Sequence, residues 1–167
     1  MAGALLKNDL NGTLNMDALT RAAMGINSPA LTAVSLLLDN DVFFAVLILA
    51  IILLAERRND KRLKIISAIA LAFIAGFALK DIYAIQRPCS GLGCPAGYSF
   101  PSLHAVTAFT LMVAFLDKRE YPLFLVFALF VAFTRLHLGF HTFEDIAGAL
   151  PVAILSYHIV DSRWKYG

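Results

Sequence analysis

The chain alternates long apolar runs with short clusters of charge. Residues 42–55 hold no polar side chain and are followed at once by Glu56-Arg57-Arg58-Asn59-Asp60-Lys61-Arg62. A second run, 65–79, is interrupted only by Ser67 and Gly76, and three more cover 105–116, 121–134 and 146–160. Each core is shorter than the ~20 residues a membrane-spanning helix needs, so each has to take in polar residues at one end. Upstream, Ser28-Pro29 reads as an N-cap followed by proline at the first helical position. It predicts a helix from Pro29 that runs into the first span across Asp39-Asn40-Asp41. Residues 15–25 read as a short amphipathic helix, with Met16, Leu19 and Ala23 on one side, lying at an interface. The pattern predicts an all-α, polytopic transmembrane bundle of five to six helices. Residues 1–28 form an N-terminal interfacial segment and 29–167 a single transmembrane domain. Residues 1–9 lack a charged region followed by a long apolar core, so they do not read as a cleavable signal.

Composition sharpens this. Of 167 residues, 59% are apolar and 16% charged. A soluble chain this short cannot bury so much apolar surface, and lipid is the expected solvent. A net charge of +2, dispersed between apolar runs, leaves no basic stripe for nucleic acid. The basic residues do set an orientation. Arg57, Arg58, Lys61, Arg62 and Lys64, then Lys118 and Arg119, then Arg163 and Lys165 all fall on one side of a five-span chain, which marks that side as cytoplasmic. The loops around 85–101 and 135–145 then face outward from a cell membrane. Arg87 and Arg135 break the rule by lying there, and an anionic ligand is one reason for a basic residue on that side. Cys89 and Cys94 share the first of these loops; their spacing fits either one bridge or two free thiols.

Helical rise places the polar residues in depth. Lys80 is ~24 Å from Lys64, His104 ~20 Å from Asp117, Arg135 ~22 Å from Glu120 and Asp145 ~27 Å from Arg163, at ~1.5 Å per residue. Four residues from four spans reach one level near the outer edge of a ~30 Å hydrocarbon core, with Arg87 and His141 slightly beyond. Ionisable groups at such depth are costly and mark function. Asp39 and Asp41 fall at a similar level, as a mouth or a helix cap.

Three motifs carry the chemistry. In Lys80-Asp-Ile-Tyr-Ala-Ile-Gln-Arg87-Pro88, two cations two helical turns apart share a face and suit a phosphate, with Pro88 ending the helix. In Phe100-Pro101-Ser102-Leu103-His104, a helix start offers free backbone N–H groups, a hydroxyl and a proton-donating imidazole. In Thr134-Arg135-Leu-His137-Leu-Gly-Phe-His141-Thr-Phe-Glu-Asp145, His141 and Asp145 stand four apart, the spacing that brings two side chains together on a helix. A carboxylate on one ring nitrogen leaves the other free to attack.

Together these resemble the tripartite signature of the type 2 phosphatidic acid phosphatase superfamily, KxxxxxxRP, PSGH and SRxxxxxHxxxD, over residues 80–145. Leu103 stands in place of the signature glycine and Thr134 in place of its serine. The resemblance implies a helical bundle with its active site at the outer end. It also implies a metal-independent lipid phosphatase that needs no cofactor. Lys80, Arg87, Ser102, the Leu103 N–H and Arg135 would cradle the phosphate. His141 would attack phosphorus, Asp145 would orient it, and His104 would protonate the leaving group. The implied partners are a lipid phosphate substrate and membrane lipids. Compact members of the family often act on polyprenyl diphosphates; phosphatidic acid, phosphatidylglycerol phosphate and phosphotransfer to another acceptor are alternatives. A competing reading takes His137, His141 and Asp145 as a zinc-binding stripe at i, i+4, i+8. Outside the signature, His137 reads as packing or as a donor behind the site.

Overall fold

The computed structural model describes residues 16–89 and 93–166. The stretch on which the signal-sequence expectation rests lies outside them. Among the described residues there are seven α-helices and no strand: α1 Ala18–Met24, α2 Pro29–Asp39, α3 Asp41–Ala55, α4 Asn59–Tyr83, α5 Leu103–Ala114, α6 Tyr121–His137 and α7 Phe143–Tyr166. Two of them, α4 and α7, are long and apolar enough to cross a membrane. Helices α3, α5 and α6 are apolar but shorter, and α1 and α2 reach that length only as a pair bent by 111°.

The predicted passage from Pro29 straight into the first span does not occur. Ser28 does cap α2, its Oγ accepting from the Leu31 N–H at 3.3 Å. But the helix stops at Asp39, and Asn40, with extended backbone, begins a new one by accepting from the Phe43 N–H at 2.9 Å. Asparagine competes for its own neighbouring amides and so favours caps over helix interiors. The extra helix ends bring the count to seven rather than five to six.

Helix α5 sits at the centre, buried on every side from Ala105 to Val113 and packed against α4, α6 and α7. A helix apolar all round has to be surrounded in this way. Helices α1 and α2 lie over α6, and α3 contributes Phe44, Ile48 and Ile52 inward while touching α4 only sparingly. The outside of the bundle is oily: Leu54 is 84% exposed and Ile74 67%, whereas Arg135 and Asp145 are each 1% exposed. This inversion of the soluble pattern is what a hydrocarbon solvent requires.

Residues 15–25, expected to lie at an interface, give α1 from Ala18, which packs on the bundle. Met16, Thr20 and Ala23 are buried and Leu19 faces out. The Phe143 N–H donates to Asp17 Oδ2 at 3.1 Å and Thr20 Oγ at 3.0 Å, tying α1 to the start of α7.

The opposite end is held by ions. Lys64 meets Asp161 at 2.6 Å, joining α4 to α7. Glu56, between α3 and α4, is buried and meets Lys118 at 3.3 Å. Burial opposes its charge, but the Arg58 N–H and the Lys118 ammonium outweigh that and hold its carboxyl below the ordinary glutamate value of 4.5. The stability this pairing contributes is complete above that value and is lost as pH falls through the depressed folded value. Acidification below about pH 4.5 should therefore lower the melting temperature of detergent-solubilised Glu56→Gln less than that of wild type. An equal fall in both would show that Glu56 contributes nothing to the acid response.

Candidate active site

Helix α4 delivers Lys80 in its last turn. Its end is set by Ala84, in the left-handed region at φ 48, whose N–H returns to the Lys80 carbonyl at 2.9 Å. The helix thus ends four residues before Arg87, so Lys80 and Arg87 do not share a helical face as their spacing predicts. The chain turns instead, and residues 84–87, outside any helix, carry Arg87 back toward the site. Proline at 88 disfavours helix for the residue before it, which accords with this non-helical run. Lys80 Nζ donates to the carbonyls of Tyr98 at 2.5 Å and Ser99 at 3.0 Å. Just before these residues, Cys89 and Cys94 are joined by a disulfide, which settles the two readings of that pair.

Helix α6 ends at His137, and just beyond it Gly139 has a φ of 67 that no side-chain-bearing residue readily adopts. His141 consequently lies in a short turn, not on the helix of Asp145. The pair still meets, at 3.5 Å between Nδ1 and Asp145 Oδ2, because the turn closes on itself. The Thr142 N–H donates to Asp145 Oδ2 at 2.8 Å, and the Asp145 N–H reaches back to Thr142 Oγ at 3.4 Å, a capping box. Asp145 Oδ1 accepts from Ser99 Oγ at 3.2 Å. On the other side of the imidazole, Arg87 Nη1 lies 3.2 Å from Nε2 and donates to the Phe140 carbonyl at 3.1 Å. A guanidinium can only donate, so Nε2 is the acceptor and the ring proton sits on Nδ1, toward Asp145. Nε2 thereby carries the ring's available lone pair.

The second motif forms the start of α5. Ser102 is the N-cap, yet its hydroxyl caps nothing; it is fully buried and without a partner among the described residues. Its N–H donates to the Asp145 carbonyl at 3.2 Å, which fastens this helix start to the third motif. Leu103 begins the helix beside it. Its side chain, in place of the signature glycine, lies where a Cβ on Gly76 would come within 2.6 Å, so α4 makes room for it with a glycine of its own. His104 Nε2 is also buried without a hydrogen-bond partner, 3.7 Å from Asp41 Oδ1 and with its ring 4.6 Å from Phe44.

Arg135 is placed differently from the other cradle candidates. It is engaged by α2: Nη1 meets Asp39 Oδ1 at 2.6 Å and Nη2 donates to the Ser35 carbonyl at 2.9 Å. Thr134 Oγ accepts from Nε and Nη2 at 3.2 and 3.1 Å. His137 turns toward α1 and α2, with Nδ1 3.1 Å from the Ala23 carbonyl and Nε2 3.0 Å from Thr32 Oγ. The stripe that would make His137, His141 and Asp145 a zinc site needs one continuous helix, and Gly139 breaks it.

A cavity of about 860 Å³ joins these parts. Asp39, Asp41, Lys80, Arg87, His104 and His141 line one end of it, together with Leu103. The remainder is mostly apolar, walled by Ile48 and Ile52 of α3 and by Ile66, Ile69, Phe73 and Phe77 of α4. From Lys80 to Ile66 the wall runs ~21 Å along the helix. Sequence reasoning did not single out Ser99, Tyr98 or Gly76. The Thr142-to-Asp145 spacing of a capping box was a visible signal for the turn; nothing local marks Ser99.

The family model described as PAP2 superfamily matches residues 61–165. Human sphingosine-1-phosphate phosphatase 2 is 30% identical over 112 residues, covering 58% of this chain and 28% of that protein. The mouse protein of the same name is 33% identical over 79 residues, 22% of its length, so the chain spans about a quarter of these relatives. The Escherichia coli (strain K12) protein named "Putative undecaprenyl-diphosphatase YbjG" is 26% identical over 151 residues, 83% of this chain and 76% of that one. Among solved structures, the transmembrane PAP2 type phosphatidylglycerolphosphate phosphatase from Bacillus subtilis superposes with a TM-score of 0.70 at 23% identity, covering 98% of this chain and 87% of that one. Aquifex aeolicus LpxE gives 0.69 at 21% identity over 86% and 93%.

Leaving a buried hydroxyl unpaired costs about 1–3 kcal/mol. Ser102→Ala should therefore raise the melting temperature while weakening binding of inorganic phosphate roughly fivefold to tenfold. Calorimetric titration and thermal melting in the same detergent would read both; unchanged phosphate affinity would remove Ser102 from the cradle.

Proposed function

We propose, from the premise that this chain belongs to the PAP2 superfamily and is a multi-pass membrane protein, that it hydrolyses a phosphate ester or anhydride on a lipid through a phosphohistidine. One observation carries this reading. Lys80, Arg87, His104 and His141 converge at one end of a cavity whose other wall is a strip of isoleucine and phenylalanine between α3 and α4. A charged head and an apolar tail are the two halves of a lipid phosphate.

In the proposed reaction, Lys80, Arg87, Ser102 Oγ, the Leu103 N–H at the N-terminus of α5 and Arg135 hold the phosphoryl oxygens. Cations and helix amides aimed at developing charge stabilise the transition state. As phosphate enters, Arg87 exchanges its contact with His141 Nε2 for a phosphoryl oxygen. Nε2 then forms a bond to phosphorus while the bond to the leaving oxygen breaks, and His104 gives that oxygen its proton. Asp145, held by Ser99 and Thr142, stabilises the positive imidazole. Water, losing a proton to His104, then attacks phosphorus, the P–N bond breaks, and inorganic phosphate leaves.

A polyprenyl diphosphate is the substrate we favour. The Escherichia coli relative, which matches most of both chains, supports this choice. Phosphatidic acid and phosphatidylglycerol phosphate present the same two halves. Placement of the site on the outer face of the cell membrane is supported by the basic residues Arg57 to Lys64 and Lys118-Arg119 at the opposite end. The Cys89–Cys94 bridge supports it as well, since disulfides persist in oxidising compartments.

Purified protein given a polyprenyl diphosphate, phosphatidic acid and phosphatidylglycerol phosphate should release phosphate from at least one with chelator present. His141→Ala should lose at least about a thousandfold of that rate, and orthovanadate should inhibit. Sensitivity to chelator, or full activity in His141→Ala, would overturn the mechanism; the ranking of the three lipids decides the substrate.

A further inference from the structure

Arg135 is the one signature cation that does not line the cavity; Asp39, its partner, lines it instead. The guanidinium has two differently employed edges. Its Nε and Nη2 are bound within the protein by Thr134 Oγ and the Ser35 carbonyl. Its Nη1 is given to Asp39 Oδ1 at 2.6 Å. Removing Asp39 would leave three of those four contacts, so Arg135 does not depend on Asp39 for its place. Asp39 is also the more exposed partner. It is the last residue of α2, its side chain is 30% exposed against 1% for Arg135, and Asn40 beyond it is a helix break. A carboxylate oxygen on that nitrogen has the charge and hydrogen-bonding character of a phosphoryl oxygen.

We propose that Asp39 is an exchangeable counter-ion: it occupies Nη1 of Arg135 in the empty site, and a substrate phosphate displaces it on binding. The inference rests on the phosphatase reading above. Its physical basis is that an unpaired guanidinium in a buried site is costly, so the empty enzyme needs an anion there, while a fixed carboxylate beside a bound phosphate would repel it. Only an anion that leaves satisfies both states. Asp39 then sets affinity as a competitor, because the apparent dissociation constant is the intrinsic one divided by the fraction of sites with Arg135 free.

The test compares wild type, Asp39→Asn and Asp39→Ser, two variants so that one misfolded protein does not decide the matter. Binding of inorganic phosphate and of orthovanadate is titrated by calorimetry, and KM and kcat are measured on the best lipid. Exchange predicts that both variants bind the anions more tightly, on the order of tenfold, with KM falling by more than kcat changes. Equal or weaker anion binding in a folded variant would overturn the inference and make Asp39 a fixed positioning group for Arg135. If wild type neither binds phosphate nor releases it from any lipid, the phosphatase reading itself has failed and the inference falls with it.

Discussion

Asp145 is the knot on which the site depends. One carboxylate oxygen accepts from Ser99, the other from the Thr142 N–H and stands 3.5 Å from His141, while its backbone carbonyl accepts from the Ser102 N–H. Two separate stretches of chain are thereby held to one residue: the loop from Ser99 to the Ser102 cap of α5, and the turn carrying His141. A buried carboxylate has to be met by donors, because a missing partner in low dielectric costs far more than a surface one. That requirement assembles the site, since the donors come from segments more than forty residues apart.

The rest of the buried polar chemistry follows the same rule with a division of labour. Lys80 is held by two carbonyls and Arg135 by α2, while Ser102 Oγ, His104 Nε2 and Arg87 Nε remain buried and unpartnered among the described residues. Helix α3 touches α4 sparingly, which leaves an apolar slot between them where closer packing would close it. The departure at Leu103 is absorbed in like manner, by Gly76 on the facing helix.

The membrane character and the helices were largely readable along the chain, because burial in lipid imposes runs of apolar residues whatever their neighbours. The candidate residues were equally readable, since a cation, histidine or carboxylate near the end of such a run is conspicuous. Their depth followed from helical rise alone. The helix boundaries were less so: the break at Asn40, the early end of α4 at Ala84 and the turn at Gly139 moved Arg87 and His141 off helices on which spacing had put them.

What the sequence by itself determined was which polar residues gather at one end of the bundle, because that depends only on residue type and distance along a helix. Only the tertiary structure decided how each is employed. It tied Asp145 to Ser99, turned His137 toward Thr32, and gave Arg135 to Asp39, a residue 96 positions away. The physical reason is that a buried polar group takes its role from whichever donor or acceptor packing brings within about 3 Å. Packing between distant helices leaves no trace in the local pattern of either one.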